Sequence, residues 1–290
     1  MTAGSEVKAR LVARGFGRLE APMALADGTL VVSDITKGGV HAVTPTSGSR
    51  RTLVEHRKGI GGICAHDDGL VVTGRNVSLR RRNGESVALL EADSARGITG
   101  FNDMTVDWRG RIYVGALGFK VSDGWDAARP GCLYRIDLDG SATVLDDDLL
   151  LPNGMAFSAD GKWYYQSDSL RKLVWAYPVR TDGELGPREL FSRVPEGLAD
   201  GIAVSTDGSV WVAAAYAGTV FQFNAQGDLL NSMKFASPMV TSVCFTPAGH
   251  PPRMYVTTGP EGADPALEGA IFEFPVTVEG VQRHTARVRA

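Results

Sequence analysis

Short apolar runs of strand length, each closed by a polar, Gly-containing turn, recur along the whole chain. Met155-Ala156-Phe157 leads into Ala159-Asp160-Gly161-Lys162, and Trp163-Tyr164-Tyr165 returns before ending at Gln166-Ser167-Asp168-Ser169. Asp and Gly tolerate the backbone angles of a tight turn, and aromatic residues suit a half-buried pleat, so this stretch reads as a hairpin. The unit returns at Asp27-Gly28, Asp68-Gly69, Arg109-Gly110, Asp207-Gly208 and, degenerate, Ala248-Gly249. The turn glycines at 28, 69, 110, 161, 208 and 249 are 41, 41, 51, 47 and 41 residues apart. Third strands follow most units, as in Val40-His41-Ala42-Val43 and Cys132-Leu133-Tyr134-Arg135-Ile136. Outer strands fit Arg51-Thr52-Leu53-Val54 and Ala142-Thr143-Val144-Leu145.

No window sustains apolar spacing at 3.6 residues, so long helices are not expected. A period in the forties with Gly-marked hairpins predicts an all-β, six-bladed propeller, one domain over residues 1–290. A β-sandwich would show no fixed period of this length. The longest irregular stretch, 116–130, interrupts the third unit, and a loop of that length is expected to carry function.

Composition narrows the picture. A hydrophobic fraction of 43% suffices for a core, and a net charge of −3 gives no general attraction to nucleic acid or membrane. The one basic run, Arg80-Arg81-Arg82, reads as a solvated strand end. Three cysteines, Cys64, Cys132 and Cys244, lie far apart among small or apolar neighbours, which reads as buried thiols in a reducing compartment. The N-terminal residues lack the apolar core of a signal peptide, and a cytoplasmic location is expected.

The chemistry lies in a shared register. In a propeller the innermost strand of every blade faces the central channel. Glu20, Asn102, Asn153 and Asp200 each precede such a strand, and each stands eight residues before its turn glycine, at 28, 110, 161 and 208. Singly, Asn-Gly or Asp-Gly is turn chemistry. In one register across four blades they deliver two carboxylates and two amide oxygens to one depth. That oxygen-only shell suits Ca²⁺, with Mg²⁺, Mn²⁺, Zn²⁺ or Fe²⁺ as alternatives. Asp168, at the far end of the returning strand, is expected behind this shell or on the channel wall.

These residues resemble the senescence marker protein-30, gluconolactonase and luciferin-regenerating enzyme family. The resemblance runs from Leu19-Glu20-Ala21-Pro22 to Met254-Tyr255-Val256-Thr257-Thr258. Its sharpest pieces are Phe101-Asn102-Asp103, Asn153-Gly154, Asp200-Gly201 and Thr241-Ser242-Val243-Cys244-Phe245. It implies one divalent metal, usually calcium, held by Glu20, Asn153 and Asp200, with Asn102 touching substrate or metal. It also implies lactone hydrolysis, the metal acting as Lewis acid on the carbonyl and acidifying a water. Asp200, acidic and beside the metal, is the candidate general base.

Three departures bear on substrate. The arginine that sugar-lactone members place two residues before the Asn is Gly100 here, and a nearby polyol-binding Glu is replaced within Gly118-Phe119-Lys120. The opening Glu-Gly-Pro has become Glu20-Ala21-Pro22. Phe101, Phe119, Trp125, Tyr216 and Met239 are expected to line the mouth, giving a small lactone or ester substrate less hydroxylated than gluconolactone. Other reactions at the same metal, phosphotriester cleavage or a lyase or isomerase step, remain alternatives, as does a non-enzymatic binding propeller. No Gly-x-Ser-x-Gly elbow or phosphate-cradling loop occurs.

Overall fold

The computed structural model describes residues 9–55, 57–261 and 268–290. An opening strand, β1 (Arg10–Phe16), precedes five consecutive four-stranded units. They are β2 (Leu19–Ala24) to β5 (Arg50–Val54) through β3 (Leu30–Asp34) and β4 (Val40–Val43). Next come β6 (Ile63–His66), β7 (Gly69–Val72), β8 (Asn76–Arg81) and β9 (Ser86–Glu91). Blade 3 holds β10 (Gly100–Val106), β11 (Ile112–Leu117), β12 (Gly131–Ile136) and β13 (Ala142–Leu149). Blade 4 holds β14 (Pro152–Phe157), β15 (Trp163–Asp168), β16 (Leu173–Pro178) and β17 (Glu189–Arg193). Blade 5 holds β18 (Leu198–Val204), β19 (Val210–Ala215), β20 (Thr219–Phe223) and β21 (Leu229–Lys234).

The last blade is built from both ends of the chain. Its order is β1-β24-β23-β22, with β22 (Val240–Phe245), β23 (Arg253–Thr258) and β24 (Gly269–Pro275). The described residues therefore form six antiparallel four-stranded sheets, a six-bladed propeller. Pairing β1 onto β24 locks the ring. The cores lie between blade faces, as where Tyr113, Phe157 and Tyr164 pack with ring centroids 5.2–5.4 Å apart. All three cysteines are free and buried.

Two local readings change. Most repeat turns are longer than the two-residue form: Gly161 N–H donates to Ser158 O, Ser158 N–H to Trp163 O, and Gly161 takes a φ of +68°. Asp160 accepts from Lys162 N–H at 3.1 Å, so Asp supplies the hydrogen bond and Gly the left-handed angle. Only blade 2 has the two-residue form, with His66 paired directly to Gly69 around Asp67-Asp68. Second, Asn153-Gly154 and Asp200-Gly201 lie inside strands rather than before them. Their glycines serve close packing: a Cβ at Gly154 would collide with the Asp200 carbonyl, and one at Gly201 with the Ser242 side chain.

Candidate metal centre and substrate mouth

Each innermost strand that carries a candidate ligand is bulged there. Glu20 pairs with Ser33 and Met23 with Val31, so three steps on β2 face two on β3. The same one-residue excess falls between Phe101 and Met104, Pro152 and Met155, and Ala199 and Ile202. A bulge re-aims side chains and leaves backbone groups unpaired. Small polar residues of nearby strands satisfy them. Ser33 Oγ donates to Glu20 O (3.2 Å), Gln166 Nε2 to Asn153 O (2.8 Å), and Ser167 Oγ to Asp200 O (2.7 Å). Blade 2 has neither bulge nor polar residue at this depth; Gly61 and Gly62 stand there against Asn102.

The four bulges converge on a cavity of about 310 Å³ at one end of the channel. Glu20, Asn102, Asn153 and Asp200 all line it, with Phe101, Trp125, Tyr216 and Met239 on its walls. The loop 116–130, carrying two short 3-10 turns, supplies Leu117, Lys120, Val121 and Trp125. One expectation fails. Phe119 is buried behind the wall, edge-on to Trp125 at 6.4 Å, and supports that ring instead of lining the mouth. Asp168, expected behind the shell or on the channel wall, is fully buried and does not line the cavity; it pairs with Pro152 beside Asn153, its carboxylate taken up by Leu150 N–H (3.0 Å), Arg171 Nη1 (2.7 Å) and Trp175 Nε1 (3.2 Å). Phe101 touches the cavity but belongs mostly to the core, against Tyr134.

Burial, followed by the charges of Asp200 and Asp103, pushes the Glu20 carboxyl well above its usual range. Burial and the Asp103 charge do the same to Asp200, opposed by Arg18, the Asn153 side chain and the Gly201 N–H. Asp200 Oδ1 is buried with no hydrogen-bond partner among the described residues. Among the described residues no three His, Cys, Asp or Glu side chains gather, so this donor set is two carboxylates with two amides. An orphaned carboxylate oxygen beside a second buried carboxylate is costly alone and is relieved by a cation, so these residues fit a hard divalent metal.

Sequence matching agrees with the geometry. Residues 19–260 match the model of the SMP-30/gluconolactonase/LRE-like region. The chain belongs to that family. It is 30% identical over 260 residues to 6-deoxy-6-sulfogluconolactonase of Pseudomonas putida, covering 86% of this chain and 87% of the relative. It is 31% identical over 274 residues to pentonolactonase XacC of Haloferax volcanii, covering 88% and 89%. In fold it superposes on a calcium-binding regucalcin from Agrobacterium tumefaciens with a TM-score of 0.82 at 22% identity, 98% of each chain being covered. This SMP-30-like chain is thus a lactonase-family protein.

One acid whose charge reaches the site escaped the sequence reading. Asp103 follows Asn102 within the β10 bulge and is pushed up to about 6 by burial, against the Arg283 charge and its bond from Met104 N–H. It does not line the cavity, and it acts on Glu20 and Asp200 through its charge. Gly100 also proves to be more than a missing arginine. A Cβ there would stand 2.9 Å from Gly74 O and 3.9 Å from Arg75 Cα, so the neighbouring blade fills that space.

Proposed function

We propose that the protein is a divalent-metal-dependent lactonase acting on a small lactone, with calcium as the metal. The carrying observation is the pair of buried carboxylates, Glu20 and Asp200, delivered by separate blades to one cavity floor, with Asp200 Oδ1 unpartnered. Glu20, Asn153 and Asp200 would hold the cation, and Asn102 stands beside them. When bound, the cation would polarise the lactone carbonyl and raise the acidity of a water. The lactonase activities of the two relatives and the calcium-binding regucalcin support this reading.

The chain's own groups divide the remaining work. Asp200 takes the proton of the attacking water as the water oxygen bonds to the carbonyl carbon. The ring C–O bond then breaks, Asp200 gives that proton to the departing ring oxygen, and the alcohol and the carboxylic acid are released with Asp200 restored. Asn102 donates Nδ2 to Pro152 O (3.0 Å), which fixes its amide and leaves Oδ1 as its free acceptor. Trp125, Tyr216, Met239, Leu151 and Leu198 wall the cavity, shield the carbonyl from bulk water and favour a ring with few hydroxyls. Elemental analysis of the purified protein, then hydrolysis of five- and six-membered lactones before and after chelation, tests the reading. Activity that survives chelation undiminished, or a metal-loaded protein inert on every lactone, would sink it.

A further inference from the structure

The mouth has two unlike halves. Both halves carry apolar walls, but blades 4 to 6, with Leu151, Leu198, Tyr216 and Met239 beside the polar Asn153 and Asp200, contribute no cation. Blades 1 to 3 contribute Arg18, Lys58, Arg75 and Lys120, four cations around one cavity in a chain whose net charge is −3. Arg18 is spoken for: its Nε donates to Glu261 Oε1 at 2.7 Å. Lys58, Arg75 and Lys120 are exposed and form no ion pair with a described residue. What sets these three apart is that they share the rim of one cavity; on the neighbouring wall, Arg171 and Arg188 are both neutralised by Asp148.

Position adds to charge. Arg75 follows Gly74, whose carbonyl accepts from Phe101 N–H at 2.7 Å, so the β7–β8 loop is tied to the start of β10, next to Asn102. Lys120 opens the loop that carries Trp125. Unpaired cations at the rim of a concave site, with low-dielectric walls opposite, raise the local concentration of anions and orient them. A guanidinium additionally offers a planar fork to carboxylate, sulfonate or phosphate oxygens.

We propose that the natural substrate is an anionic lactone, its carbonyl over the Glu20–Asp200 floor and a carboxylate, sulfonate or phosphate substituent held by Arg75 and Lys120, with Lys58 completing the rim. This assignment rests on the lactonase reading, and its test separates the two. The metal-loaded protein is assayed on 5-oxotetrahydrofuran-2-carboxylate and its neutral carboxamide, then on 6-phosphogluconolactone and gluconolactone. The anionic member of at least one pair should be preferred about tenfold or more in kcat/KM, with the pair that wins naming the headgroup. Arg75→Gln with Lys120→Gln should abolish that preference while leaving the neutral lactones within about twofold of wild type, and 0.5 M salt should shrink it. Equal rates within both pairs, or equal losses on charged and neutral lactones, overturn the proposal.

A binding arm is independent of turnover. Calorimetric titration should show 6-phosphogluconate binding about tenfold tighter than gluconate, and the double variant should erase the difference. If no lactone is hydrolysed but that difference appears, the lactonase reading fails and the anion site stands. If lactones are hydrolysed and neither charge preference nor differential binding appears, the anion site fails alone.

Discussion

Asp200 and Asp207 stand at opposite ends of one strand-and-turn unit of blade 5, and the protein treats them in opposite ways. Asp207 sits in the repeat turn, where desolvation is outweighed by bonds from the Ser205 hydroxyl (2.6 Å) and the Ser209 N–H (3.0 Å), and its pKa is lowered. Asp200 sits in a bulge at the mouth, buried with one oxygen orphaned, and its pKa is raised well above normal. The contrast extends to the two poles. Around the turn pole the left-handed angle falls on glycines such as Gly28, Gly110, Gly161 and Gly208. At the mouth Gly59 and Gly74 take positive φ too, but so do Leu151 and Tyr216 of the cavity wall, and Ala21 and Lys172 near it, despite a Cβ. One pole is locally satisfied; the other holds strain and uncompensated charge, the expected mark of a functional site.

Swapping the two aspartates is the sharpest way to break this comparison. Asp200→Asn should cost about 10³-fold or more in kcat/KM, since it removes a ligand and the base together. The metal-free variant should melt at or above wild type, because a buried charge has gone. Asp207→Ala should keep activity and lower stability by about 1 kcal/mol through its lost turn bonds. Thermal melts in chelator beside steady-state assays measure both; an active Asp200→Asn, or an inactive but folded Asp207→Ala, would collapse the distinction.

The next effect concerns packing at each pole. Gly154→Ala drives a methyl against the Asp200 carbonyl and should destabilise by about 1–3 kcal/mol or more, weakening metal binding with it. Gly249→Ala meets nothing within 4 Å and strains only a φ of +87°, so about 1 kcal/mol and unchanged metal affinity are expected. Denaturant melts and calcium titrations rank the two. Equal costs would show that blade-to-blade contact at the axis is not what requires glycine at 154.

The turn pole was legible in the sequence and the mouth only partly so. Turn chemistry is local: a Gly-marked turn before a β-branched or aromatic run announces a hairpin, and six of them, four with Asp before the Gly, at a period in the forties to low fifties announce the propeller. The eight-residue register even placed four polar residues at one depth. Closure by β1 was hidden because Arg10–Phe16 has no turn of its own and pairs with β24, more than 250 residues away. Asp103 was hidden because it acts through its charge on carboxylates of other blades, which no local pattern displays, and Phe119 misled because the loop's 3-10 turns present Trp125 in its place. The cationic half of the mouth draws on separate blades, so no window of sequence displays it.

Proton linkage gives the third test, with opposite signs at the two ends. Glu20 and Asp200 have raised folded-state pKa values. Without metal, their contribution is therefore fully present below the unfolded value near 4 and is lost as pH rises through the folded ones. Asp207, being lowered, contributes above its unfolded value and loses that contribution as pH falls. In chelator, Tm of wild type should fall between pH 5 and pH 7.5 relative to the Glu20→Gln/Asp200→Asn double variant. Added calcium should raise wild-type Tm more at pH 7.5 than at pH 5. Parallel curves for wild type and double variant would mean the two carboxylates are not under strain.

The smallest expected effect isolates the strain itself. Tyr216 is about half exposed, lines the cavity and holds a φ of +65°. Tyr216→Ala removes the aromatic wall and keeps the strained backbone, whereas Tyr216→Gly removes both. Both should raise KM by a similar factor, because each deletes the same ring. Only the glycine should regain about 1 kcal/mol of backbone strain, roughly 2–4 °C in Tm, partly offset by the greater freedom of glycine in the unfolded chain. If the two variants melt together, the left-handed angle at Tyr216 costs nothing, and the mouth differs from the turn pole in charge alone.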